Sequence, residues 1–144
     1  MARPPKNRVD YFPHHIAQGR TIFILEEKFG NDGYAFWFKL LEQLGCSDDH
    51  IIDTGNSVDL MFLASKTRMS EERAIEILDC LARLEAIDPE LWKIRVIWCQ
   101  KFVDGIADVY RKRQTPTPSR PVRFLQNPSF RHGNPPSTPV SGAG

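Results

Sequence analysis

The stretch SKTRMSEERAIEILDCLARLEA, Ser65 to Ala86, contains the end of one helix, a tight turn and a second helix. Ser70 stands where an N-cap is needed, with Arg73 rather than a glutamate at the third helical position, so the capping box is incomplete. Ala74, Ile75, Ile77, Leu78, Leu81 and Leu84 then follow a 3.6-residue period and predict an amphipathic helix. The outer face left to this helix, Glu71, Glu72, Arg73, Glu76, Asp79 and Arg83, is mostly acidic. A helix pair of this shape is used to read DNA, but an acidic outer face opposes that use.

Working upstream, Ser57 is placed to cap VDLMFLASKTR, with Leu60, Met61, Leu63 and Ala64 as its buried side. Ile51 and Ile52 before it predict a very short strand that ends at DTGN. NDGYAFWFKLLEQLG, with Asn31 or Asp32 as cap, is apolar over much of a helical circumference and belongs at the centre of a core. From Ile16 to Gly30, Ile22, Phe23, Leu25 and Phe29 mark a first helix that glycine stops. Downstream, Ile87 precedes a turn at Asp88 to Glu90, and Trp92, Ile94, Val96 and Trp98 alternate with Lys93, Arg95 and Ile97, a pattern that predicts a β-hairpin. FVDGIADVYRKR returns to helical spacing. The sum is a mainly α fold with a small β-hairpin: a winged helix-turn-helix over residues 9 to 113.

Beyond Gln114, seven prolines fall in a segment with few apolar side chains, so residues 114 to 144 are expected to form a disordered, basic tail or linker. The first eight residues are expected to form a flexible basic arm. All 18 acidic residues lie at or before Asp108. Residues 9 to 108 carry 10 basic groups against those 18, a net of −8, so the near-neutral total hides an acidic body between two basic ends.

DYFPHH, FGNDGYAFWFKLLEQLG, DLMFLASKTRMSEERAIEILDCLARLEAIDPELW and VIWCQKFVDGIADVYRKR together resemble the N-terminal winged-helix domain of phage replisome organisers and DnaD-like primosomal proteins. The resemblance covers residues 9 to 113 and rests on residues that make the fold. It implies a part in replication initiation, through origin binding or assembly of the helicase-loading complex, with a helicase or helicase loader as partner. Such proteins usually carry a further C-terminal domain after a flexible linker. An origin binder or transcriptional regulator that reads sequence through the helix-turn-helix is the alternative, and a small nucleic-acid enzyme is a third reading with almost no residue support.

Duplex DNA presents about one negative charge per 1.7 Å, so binding residues must be basic. Lys66 and Arg68 in the turn could hold a phosphate beside the next helix, Arg73 could reach from that helix, and Lys93 and Arg95 lie on the expected wing. Arg3, Lys6 and Arg8 in the first arm and Arg111, Lys112 and Arg113 in the second could follow the backbone without reading it. Ordinary surface charge is the competing explanation for each of them. Tyr34, Phe36, Trp37, Phe38, Trp92 and Trp98 could stack on single-stranded bases, but their spacing fits a core or a contact between copies, so a homo-oligomer is expected.

No Ser, His and Asp constellation, phosphate loop or metal-ligand spacing stands out, so catalytic residues, cofactors and metals are not expected; His14, His15, Cys46, Asp48, Asp49 and His50 lack the spacing of a zinc site. The odd, scattered cysteines Cys46, Cys80 and Cys99 read as buried reduced thiols. With no apolar span, a cytoplasmic, membrane-free protein is expected.

Overall fold

The computed structural model describes residues 7–17 and 19–126. Helix α1 (Arg20–Phe29) ends at Gly30, whose φ of 64° is one that L side chains rarely adopt. The same glycine precedes α2 (Asn31–Cys46), so one residue separates two helices that pack against each other. Neither Asn31 nor Asp32 caps α2; both lie inside it. Gly33 lies so close to α1 that an added Cβ would stand 2.5 Å from the Leu25 carbonyl oxygen.

Helix α2 is central, as its composition predicts, and buries Phe36, Leu40, Leu41 and Leu44. Its flank is finished by the N-terminal segment. Val9 is buried against it and donates its N–H to the Gly45 carbonyl at 2.9 Å. The His14 ring stacks on Phe38 with centroids 3.9 Å apart. Phe12 meets Phe102 edge-on.

A 3₁₀ turn (Asp48–His50) follows, with Asp49 and His50 at positive φ. It buries His50 completely. His50 Nδ1 lies 2.8 Å from the Leu44 carbonyl, which can only accept, so Nδ1 carries the proton and Nε2 accepts from the Tyr110 hydroxyl at 2.6 Å. Burial pushes the His50 pKa down, outweighing the opposing pull of the Leu44 carbonyl and of Asp49; Arg113 also lowers it.

Strand β1 (Ile52–Asp53) pairs antiparallel with β2 (Val96–Ile97), Ile52 opposite Ile97 and Asp53 opposite Val96. Between these strands lie α3 (Ser57–Thr67) and α4 (Glu71–Arg83). The cap of α3 is Asn56, one residue earlier than expected; its side chain accepts from the N–H groups of Val58 and Asp59. Ser70 caps α4 as expected, its Oγ accepting from Arg73 N–H at 3.1 Å. Ala74, Ile77, Leu78 and Leu81 are fully buried. Truncating one such leucine or isoleucine costs about 2–5 kcal/mol, more than any surface ion pair supplies at about 0–1 kcal/mol. Packing of α4 therefore outweighs its surface charge in holding the fold.

The antiparallel element expected within residues 87 to 98 is formed differently. Asp88 caps a short helix, α5 (Pro89–Lys93), accepting from Leu91 N–H at 3.0 Å with Pro89 in the first turn. Trp92 therefore sits on a helix, and its indole N–H donates to Asp79 at 2.7 Å. Only Val96–Ile97 is strand, and its partner comes from before α3. An Asp-Pro helix start overrides the alternation, and Val96 through Cys99 are all buried rather than alternately so.

The last expected helix is broken in two at Ile106, giving α6 (Gln100–Gly105) and α7 (Ala107–Arg113). The folded body then continues beyond the expected boundary at Arg113. Gln114 turns the chain at φ 60°, and the next residues run back to α8 (Arg123–Gln126), burying Pro121 and Phe124. Arg120 reaches both Asp88, at 2.5 Å, and Glu90, at 2.8 Å. Burial pushes the Asp88 carboxyl up, but hydrogen bonds from Arg120 and the Leu91 N–H outweigh it, and its pKa falls below the usual value. Residues 127 to 144 of the expected tail lie outside the described residues.

Two outcomes follow from these contacts. Gly33→Ala forces a Cβ onto backbone atoms and is expected to cost about 1–3 kcal/mol, whereas Gly19→Ala, with open space around it, should leave thermal melting nearly unchanged. Equal melting temperatures would show that α1 yields freely. The second concerns pH. Because the folded His50 pKa is depressed, its contribution is fully present above the unfolded value, about 6.5, and is lost as pH falls through that value toward the folded one. Urea titrations at pH 7.5 and 5.5 should show a loss at low pH that is smaller in His50→Gln than in the parent chain.

Candidate nucleic-acid interface

The turn between α3 and α4 is built by Arg68 in the left-handed region, φ 61° and ψ 36°, directly after α3. Arg68 N–H donates to Ser65 O and Met69 N–H to Ala64 O, closing the last turn of the helix. Thr67, buried, bonds the Leu63 carbonyl at 2.8 Å. Lys66 and Arg68 therefore project from a well-bonded corner. They line an open cleft of about 290 Å³ together with Lys39, Glu42 and Gln43 of α2 and Ser65.

Three cations meet one carboxylate there. Neither Lys39 nor Lys66 nor Arg68 has an ion-pair partner among the described residues, and Lys66 lies over the Phe62 ring, 5.9 Å from its centroid. Lys39 escaped the sequence reading because it sits on a helix whose neighbours are almost all core. Only the packing of α2 on α3 brings it to the corner.

The other sequence-predicted cations are engaged differently. Arg73 is 3.4 Å from Asp32 and lies over the Phe29 ring, so it faces the α1–α2 corner. Arg95 packs over Trp92, 4.6 Å from its centroid, and stands 3.6 Å from Asp79. Arg8 bonds Asp48 at 2.7 Å, and Arg111 pairs with Asp108. Arg113 donates to the Arg8 carbonyl at 2.8 Å and covers the Tyr110 ring. Lys93 and Lys112 are exposed and have no ion-pair partner among the described residues. Arg3 and Lys6 lie outside the described residues.

On α4 this partition leaves Glu71, Glu72 and Glu76 exposed and unpaired among the described residues, since Arg73 turns to Asp32 and Asp79 is taken by Trp92 and Arg95. The face that would enter a major groove stays acidic, since those three glutamates stand against Arg83 alone, exposed and without an ion pair among the described residues. The corner before it is the most basic surface of the helix pair.

The aromatic residues expected as stacking candidates are engaged in packing, with Trp37 partly buried against the core, whereas Tyr11, Phe23 and Phe62 are exposed. Phe36, Trp92 and Trp98 are buried, and Tyr34 and Phe38 are flanked by His14, with the Tyr34 hydroxyl 3.3 Å from its Nε2. Of the cysteines, only Cys99 is buried, while Cys46 is exposed and Cys80 half-buried, so the expectation of three buried thiols is corrected at Cys46. Among the described residues no three His, Cys, Asp or Glu side chains gather to hold a metal, and no helix is long and apolar enough to cross a membrane.

No curated protein and no solved structure matches the chain. A family model does, that of the Lin1244/Lin1753-like N-terminal domain, over residues 11–102. It runs from the docked N-terminal segment into the first turn of α6 and takes in the corner with Lys39, Lys66 and Arg68. With more than half of its residues matched, the chain belongs to the Lin1244/Lin1753-like N-terminal domain family, a phage-type family of uncertain function.

Proposed function

We propose that this domain is a non-catalytic module of phage- or prophage-type DNA replication initiation, a winged helix-turn-helix that assembles with itself or with replication proteins and holds duplex DNA by its phosphates. The observation that carries the DNA contact is the gathering of Lys39, Lys66 and Arg68 at one corner without an ion pair among the described residues, while Arg8, Arg73, Arg95, Arg111 and Arg120 all have carboxylate partners. An unpaired cation can exchange its counterions for phosphate without first breaking an internal pair. The replication setting is supported by the resemblance of residues 9 to 113 to replisome organisers and by the phage-type family. A helicase or helicase loader is the partner this implies.

Backbone contact also agrees with the charge on α4. Carboxylates can accept from a cytosine amino group, but Glu71, Glu72 and Glu76 together would face the phosphates on the way into the groove. Sequence reading by α4 is therefore disfavoured in this proposal. Arms remain part of it: Arg3, Lys6 and the exposed Lys112, which has no ion pair among the described residues, add phosphate contacts of their own.

Titration of a duplex at two salt concentrations tests the reading. Lys39→Ala with Arg68→Ala should weaken binding several-fold and flatten the salt dependence by up to about 2 in log–log slope, roughly 0.9 per lost phosphate contact. Removing residues 1–6 and 127–144 should weaken it further. The deletion must stop at 127, because Phe124 is buried and Arg120 holds Asp88. Arg73→Ala should leave any sequence preference unchanged. Affinity and slope equal to the parent chain in both the paired substitution and the deletion would overturn the proposal.

A further inference from the structure

Helix α3 has an outer face that the rest of the described molecule leaves uncovered. Val58, Met61 and Phe62 are 63%, 51% and 55% exposed. Met61, expected in the core, is on this outer side because Leu63 and Ala64 fill the inner one. The stripe is flanked by charges of opposite sign at its two ends. Asp59 lies three residues before Phe62 and Lys66 four residues after it, both on the same side of the stripe at helical spacing. Neither has an ion-pair partner among the described residues, and Lys66 rests only on the Phe62 ring.

We propose that α3 pairs with α3 of a second copy of this chain, antiparallel, about a two-fold axis at Phe62. A two-fold interface requires a surface that complements itself. Turning α3 end for end about Phe62 does this: the two Phe62 rings meet at the centre, Ser65 of each copy faces Val58 of the other, and Lys66 of each copy comes beside Asp59 of the other. A parallel pairing would set Lys66 against Lys66 and Asp59 against Asp59. Phosphate would gain nothing from Val58, Met61 and Phe62, so DNA does not account for the stripe. The pairing deepens the assembly part of the proposed function and rests on it; it takes Lys66 from the basic corner, so in the dimer the phosphate contact there falls to Lys39 and Arg68, which the pairing does not touch.

Pairing of one stripe per copy is small beside the roughly 1,200–2,000 Å² of a standard stable interface, so the dimer is reversible and concentration-dependent. The test is sedimentation equilibrium of the full chain from about 10 μM to about 1 mM, the range a small interface of this class requires. The parent mass should rise from monomer toward dimer. Phe62→Asp, a change at an exposed site, should hold it at monomer. Asp59→Lys alone and Lys66→Glu alone should each weaken association about tenfold, and the two together should restore it toward the parent value, because the swap rebuilds both ion pairs with the charges exchanged. Circular dichroism melts establish that every variant is folded.

A parent chain that stays monomeric throughout, a Phe62→Asp chain that associates like the parent, or a double swap no better than either single one would each overturn the pairing. Duplex titration of the same variants separates this from failure of the DNA proposal. Asp59→Lys and Phe62→Asp leave Lys39 and Arg68 in place, so a monomer that still loses affinity on Lys39→Ala with Arg68→Ala sinks the dimer alone. A dimer indifferent to those two substitutions in its DNA binding sinks the backbone contact alone.

Discussion

The pairing of Ile52–Asp53 with Val96–Ile97 holds the architecture together. It joins residues more than forty positions apart and encloses α3 and α4 between its ends. Two strands this short are marginal in water, so the ladder alone cannot keep the loop closed. Burial makes the difference, since Val96, Ile97 and Trp98 are fully enclosed. The join is extended on both sides. Thr54 donates its N–H and its hydroxyl to the Arg95 carbonyl at 2.8 and 2.9 Å, and Asp88 N–H reaches Trp98 O at 2.8 Å. Asp79 of α4 then receives the Trp92 indole and the Arg95 guanidinium, tying the enclosed helix pair to the segment that encloses it.

Much of this was legible in the residues, and the parts that were not share one cause. Helix α4 could be placed from Ser70 to its last apolar position because capping and a 3.6-residue period are local. Strand β2 was legible as extended, but its partner was not, because pairing with β1 is decided by packing across the chain. Trp92 misled for a related reason: alternation from Trp92 to Trp98 is weak beside the local helix start at Asp88 and Pro89. On α3 the inner and outer sides could not be told apart, since Met61 and Leu63 are equally apolar. Which of them faced water depended on where α2 and α4 stood.

The candidate site divided along the same line. Lys66 and Arg68 were found from their place in a turn. Lys39 was not, because nothing within a helical turn of it in sequence signals a basic surface. Arg73 and Arg95 were read as available charges, yet each lies against an aromatic ring and near a carboxylate from another element. Arginine suits such positions, its planar, weakly hydrated head stacking on a ring while it pairs. The described lysines carry no ion pair, so the charge open to a partner is mostly lysine and differs in place from the sum of basic residues.

The segment from Thr115 to Gln126 looked unstructured because it is rich in proline, yet it docks with only two buried residues, Pro121 and Phe124, and one branched ion pair at Arg120. Those prolines help it to do so. A chain whose φ angles at Pro116, Pro118 and Pro121 are already restricted has fewer conformations to surrender, so a small anchor suffices to hold it. Replacing Pro116 and Pro118 with residues of equal polarity would leave the buried Pro121 and Phe124 and the Arg120 ion pairs in place and still loosen the segment, since the change would act on the undocked chain.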